Sequence, residues 1–212
     1  MRESRFSGRP VMGAVGAMAA GLGGAASSDA AIMYQAVDVD IPADGTEYHV
    51  DLNGDAINEF DIQQSDSVTK VADFAAGVGA LRDPADDRVA NLPAGTLIGP
   101  GAGTYSSAGP DALNGEDPPG TPVGHFQVGD GPGFIGVEFP IGGNTHYGYV
   151  GYEGTGAENS ANGRVFALAY ETVPSTAIAA GAVPEPTSLC LLAAGAAGVS
   201  LYRRRRSESM AG

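Results

Sequence analysis

Cysteine is all but missing from this chain. The single one in 212 residues, Cys190, lies in an apolar run near the C-terminus, so the middle of the chain has no disulfide and no thiol nucleophile. Tryptophan is absent altogether, which weakens any sugar-binding reading that needs large aromatic platforms. Basic residues are scarce, 11 against 25 acids, and seven of them sit at the two ends: Arg2, Arg5, Arg9 and Arg203 to Arg206. Between residues 31 and 182 only Lys70, Arg82, Arg88 and Arg164 stand against 21 acids, a balance of about −17. Such a surface repels nucleic acid and anionic lipid and gathers divalent cations, so nucleic-acid binding is excluded.

The ends carry address information. Near the C-terminus, Val183-Pro184-Glu185-Pro186 precedes an apolar run from Leu189 to Leu201 and the knot Arg203-Arg204-Arg205-Arg206. Pro184 and Pro186 fix φ and push Val183 and Glu185 toward extended backbone, the form a protease or transpeptidase threads through its cleft. The apolar run has no polar face, unlike an amphipathic core helix. At about 15 residues, counting Ser188 and Tyr202, it falls short of the ~20 that span a bilayer comfortably. The four arginines stop transfer and stay cytoplasmic. A plain tail anchor is the alternative reading.

This segment, residues 182 to 206, resembles a PEP-CTERM sorting signal, whose motif residues correspond to Pro184, Glu185 and Pro186. The resemblance implies an exported bacterial protein whose membrane-held precursor is handled by an exosortase-type transpeptidase. It further implies an association with extracellular polysaccharide. The N-terminus agrees. Three arginines precede the apolar run Val11 to Leu22 and the small residues Ala25 to Ala31, the pattern of a secretory signal peptide that engages the Sec translocon and signal peptidase. The cut is expected between Ala26 and Ala31, with Ser28-Asp29-Ala30 as the last residues removed. The expected organisation is a signal peptide over 1–30, an extracytoplasmic domain over 31–182, the sorting signal over 183–206 and a cytoplasmic tail over 207–212.

The middle reads as β. Ile32 to Ile41 alternates apolar and polar residues, and Thr46 to Val50, Glu59 to Ile62 and Val68 to Phe74 follow. Val123 to Val128, Phe134 to Phe139, Thr145 to Tyr152 and Arg164 to Thr172 are further strands, parted by Gly-rich turns such as Ile141-Gly142-Gly143-Asn144. Short strands at this spacing predict an all-β, antiparallel sandwich or jelly-roll-like domain between a signal-peptide helix and a transmembrane-like helix. Leu92 to Pro122, rich in Gly and Pro, is expected to be a long surface insertion. Residues 123 to 186 also resemble a pattern in tag-bearing exported proteins, with Tyr149 where those proteins usually carry Trp.

One stretch has ligand spacing. Asp51-Leu52-Asn53-Gly54-Asp55-Ala56-Ile57-Asn58-Glu59 puts side-chain oxygens at positions 1, 3 and 5, a carbonyl at 7 and an acid at 9, the way a tight loop wraps a hard cation. Asp51, Asn53, Asp55, the Ile57 carbonyl and Glu59 are the candidate Ca2+ ligands. The loop looks like the Asp-x-Asn-x-Asp-Gly loops of FG-GAP propellers and dockerin-type modules. It departs from them at Ala56, where Gly makes the sharp turn, and at Ile62, where an EF-hand needs its bidentate Glu. A polar turn without metal is the competing reading.

Catalytic signatures are lacking. The three histidines, His49, His125 and His146, form no HExxH and no i, i+4 pair, which leaves a zinc hydrolase without support. There is no Gly-x-Ser-x-Gly elbow. The reading is therefore a non-enzymatic, exosortase-processed cell-surface or matrix protein. A calcium-dependent carbohydrate-binding or adhesion module is the alternative, and an envelope hydrolase comes third.

Overall fold

The structure is a computed structural model that describes residues 31–65, 67–108 and 111–184. The signal-peptide helix and the transmembrane-like helix expected at the ends lie outside these residues. Twelve strands are formed: β1 (Ile32–Ile41), β2 (Glu47–Val50), β3 (Phe60–Ser65), β4 (Val68–Ala72), β5 (Gly79–Leu81) and β6 (Leu97–Ile98), then β7 (Tyr105–Ser106), β8 (Asp111–Gly115), β9 (Gly133–Ile141), β10 (Asn144–Thr155), β11 (Asn162–Glu171) and β12 (Ile178–Ala179). They build a six-stranded sheet in the order β1-β11-β10-β9-β5-β7, a four-stranded sheet β2-β3-β4-β8 and the pair β12-β6. Every pairing is antiparallel. The domain is all-β, with no helix among the described residues.

Alternation explains which faces meet. In β2 and β3, Val50, Phe60 and Ile62 point inward and are fully buried, while Glu47, His49 and Gln63 point outward. The inward set shares one core with Ile135, Val137, Phe139, Val150, Tyr152 and Val165 of the large sheet. The opposite face of the large sheet is covered too. Tyr147, Tyr149, Ala167 and Ala169 pack there against Leu92, Ile98, Ile178 and Ala180. The centre of β10, buried on both faces, therefore reads as a nearly unbroken apolar run.

Two expectations fail here. Residues 92–122 are no surface insertion: they supply β6, β7 and β8, and Ile98 and Leu113 are fully buried. Their Gly and Pro residues keep the strands short without keeping them out of the core. Val123–Val128 is not a strand. Gly124 has φ +86°, and a Cβ there would lie 2.3 Å from the Leu113 carbonyl oxygen. The chain crosses β8 at that point, joined by Val123 N–H to Gly115 O (3.0 Å) and Phe126 N–H to Leu113 O (2.8 Å).

Buried Arg82 holds the 83–111 region together. Its guanidinium pairs with Asp111 and donates to the carbonyls of Ser106 (2.9 Å) and Ala108 (2.7 Å). With a further bond to the Asp87 carbonyl (3.4 Å), one side chain ties a Gly-rich stretch to the sheet edge.

Candidate functional site

The acidic loop joins β2 to β3. Val50 and Phe60 are paired in register, and Glu59 N–H donates to Val50 O at 2.8 Å, which closes the neck. The tip is built from side chains turned back on their own backbone. Asp51 accepts from Gly54 N–H (2.7 Å) and Ala56 N–H (2.9 Å), Asn53 Oδ1 from Asp55 N–H (2.9 Å) and Asp55 from Ile57 N–H (2.8 Å). The bonds at Asn53 and Asp55 are Asx turns, while Asp51 reaches further across the loop. Gly54 has φ +76° and Ala56 φ +67°. Ala56 thus occupies left-handed backbone without the glycine that suits it.

Of the five sequence-predicted ligands, Asp51 and Asn53 are half-buried and Asp55 and Ile57 are exposed at the tip. Glu59 is different: only 5% exposed, it accepts from Leu52 N–H at 2.6 Å. Burial pushes its pKa up from 4.5 to about 7; the Leu52 hydrogen bond opposes that rise, while the charges of Asp51 and Asp55 add to it. A carboxylate oxygen that accepts one N–H keeps a lone pair, so the loop's oxygens retain capacity for a hard cation. The residue types are those that take Ca2+, but the loop does not bring the carboxylate oxygens of Asp51, Asp55 and Glu59 within 4.8 Å of one another.

Sequence reasoning passed over a second group. Across the β2–β3 pair, Glu47, His49 and Asp61 bring their ligand-type atoms within 4.8 Å of one another, the one such group of three among the described residues. His49 Nδ1 and Asp61 Oδ1 are 2.6 Å apart, and that hydrogen bond raises the His49 pKa. Only the register, which sets His49 opposite Asp61, reveals the group. The other histidines are otherwise engaged. His146 is buried with Nδ1 2.9 Å from Glu171 O, and His125 Nε2 lies 3.0 Å from Asp86. A polar cleft of about 640 Å3 lies near β4 and β8; Lys70, Asp86, Arg88, Asp111 and Asp117 line it, with no aromatic side chain among its lining residues.

The approach to the C-terminal signal is also defined. Ala180 N–H bonds Thr96 O (2.8 Å), and the Tyr149 hydroxyl donates to Ala182 O at 2.6 Å. Beyond that clamp the chain turns outward: Val183 is 52% exposed and Pro184 is exposed. Glu185, Pro186 and the arginines Arg203, Arg204, Arg205 and Arg206 lie outside the described residues, as does the apolar run. Among the described residues no helix is long and apolar enough to cross a membrane.

No curated protein and no solved structure matches the chain. The match that exists is to the C-terminal segment. Residues 182–206 are a PEP-CTERM protein-sorting motif, which implies an exported, membrane-anchored precursor with an exosortase as its processing partner.

Proposed function

We propose that the protein is an exosortase-processed component of the cell surface or extracellular matrix, and that its mature part is a non-catalytic, acidic β-domain. The observation that carries this reading is the junction at Ala182. Tyr149 pins that residue to the sheet, and Val183 and Pro184, at the start of the sorting motif, are exposed. A processing enzyme then meets Pro184 at the surface of a finished fold. The signal peptide would deliver the chain through the Sec translocon, with signal peptidase removing residues 1–30. The apolar run 189–201 would hold the precursor as a transmembrane helix, its arginines inside. The two sheets packed on a common core are read as a β-sandwich of jelly-roll type. Replacing Pro184→Ala or Glu185→Ala in the producing cell should leave uncleaved precursor in the membrane fraction. Normal maturation of both variants would contradict the reading.

A second reading is favoured by the turned-back acids of the 51–59 loop. With Ca2+ on Asp51, Asn53, Asp55, the Ile57 carbonyl and Glu59, the domain would act as a calcium-dependent carbohydrate-binding or adhesion module directed at extracellular polysaccharide. Glycan-array binding that EDTA abolishes supports it. An envelope hydrolase would require convergent acids in a cleft to turn over a glycoside or ester, and release of product from matrix polysaccharide is the assay for it.

A further inference from the structure

We propose that Glu47, His49 and Asp61 form a binding site for a divalent transition-metal ion on the outer face of the four-stranded sheet. It is distinct from the acidic loop in donors and in place. The three residues sit on paired strands. His49 and Asp61 face each other in register, and Glu47 lies two residues along the same face, on the diagonal from Asp61. Directly opposed side chains on such a pair have Cβ atoms about 5 Å apart, and diagonal ones remain within reach of a long side chain. Strand alternation turns Val50, Phe60 and Ile62 into the core, so the neighbouring residues must share the other face. The scaffold of the group is therefore set by the core beneath it.

The distances suit a small ion. Ligands at about 2.1 Å from a tetrahedral centre stand about 3.4 Å apart. The present separations run from 2.6 Å for His49 Nδ1 to Asp61 Oδ1 up to a limit of 4.8 Å, so changes in separation of about 1.4 Å or less, shared between side chains, complete the geometry. An imidazole with two carboxylates favours zinc and its first-row neighbours over calcium, which takes oxygen ligands. Charge points the same way. Two carboxylates converge here, and among the described residues no Lys or Arg forms an ion pair with either. A 2+ ion with neutral His49 balances them; a protonated His49 leaves one negative charge over. Gln63 Nε2 donates to Glu47 Oε1 at 3.2 Å and to Asp73 Oδ2 at 3.4 Å, which orients the glutamate from outside as second partners do in metal sites. β2 is the sheet's edge strand and Glu47 and His49 are exposed, so the ion has an open approach and water completes its shell. Bound there, it staples the four-residue edge strand β2 to β3.

The test is isothermal titration of the full chain in detergent micelles with ZnCl2 and, separately, CaCl2, together with visible absorption on adding Co2+. We expect one Zn2+ site. Its affinity should fall at least about tenfold in His49→Ala and in Glu47→Gln and stay unchanged in Asp55→Asn. The Co2+ bands should weaken in His49→Ala. Both replaced side chains are exposed, and unchanged thermal unfolding without metal confirms that the variants fold. The proposal is overturned by wild-type Zn2+ affinity in His49→Ala, by no heat with Zn2+ at about 1 mM, or by an equal loss in Asp55→Asn, which would assign the ion to the loop.

Discussion

The Tyr152 hydroxyl on β10 donates to Asn114 Oδ1 on β8 at 2.6 Å, inside the shared core. Asn114 passes the connection on: its Nδ2 donates to the carbonyls of Ser160 (2.6 Å) and Asn162 (2.8 Å) at the β10–β11 turn. Thr69 Oγ1 of β4 donates to Ala161 O of the same turn. A buried polar chain thus joins the two sheets, and each member has its partner.

Removing the hydroxyl alone leaves Asn114 Oδ1 unpaired and dry. Tyr152→Phe should destabilise the domain by about 1–2 kcal/mol in urea unfolding. Room for the phenol depends on Gly163, where a Cβ would fall 1.8 Å from the Tyr152 oxygen. Gly163→Ala should therefore cost more than Tyr152→Phe, because the ring has no free space in which to retreat. Equal stability of both variants and wild type would show that this buried polar chain does not stabilise the fold.

At the tip of the acidic loop the left-handed Ala56 stores backbone strain. Ala56→Gly should stabilise the domain by about 1 kcal/mol, the cost of a Cβ in that region less the extra entropy of glycine when unfolded. A loss of stability on this replacement would show that the φ is relaxed in solution.

Glu59 should make stability depend on pH. Its ordinary pKa is 4.5 and its folded value about 7, so between these values the folded state holds a proton that the unfolded chain releases. The stabilising contribution is complete below about pH 4.5 and is lost as pH rises through 7. Wild type should therefore be less stable at pH 8 than at pH 5. Glu59→Gln keeps an oxygen for Leu52 N–H without the buried charge, and should be the more stable protein at pH 8 by on the order of 1 kcal/mol. Parallel pH profiles for the two proteins would count against the assignment.

Calcium reverses that trend where the loop holds it. A cation stabilises ionised Glu59, so calcium affinity should rise as pH passes 7. A calcium-induced rise in thermal midpoint should also be larger at pH 8 than at pH 6, and absent in Asp55→Asn. No shift at millimolar calcium would leave the segment as a turn held by its own hydrogen bonds.

Strand identity was legible wherever alternation ran long. Ile32–Ile41 is visible in the sequence to its end residues, and the hairpin of β9 and β10 around Gly142-Gly143 was marked by its turn dipeptide. Very short strands were not. Gly79–Leu81 and Ile178–Ala179 are too brief to show a period, and Asp111–Gly115 is hidden among glycine and proline. The mistaken strand at Val123–Val128 has the right composition but meets the backbone of β8, a long-range contact that no local pattern encodes. The acidic loop could be found because its candidate residues stand at alternate positions of one short stretch. The Glu47–His49–Asp61 group could not, since it depends on the β2–β3 register.

Exosortase processing is read off the intact mass of the protein recovered from the surface or matrix of the producing cell. Removal of residues 1–30 and of the segment after the Pro184-Glu185-Pro186 motif should leave a species whose mass ends at or near that motif, and deleting the exosortase should leave membrane-bound precursor that retains Arg203 to Arg206. A surface form that keeps the four arginines, in cells with an active exosortase, would rule out processing at the motif.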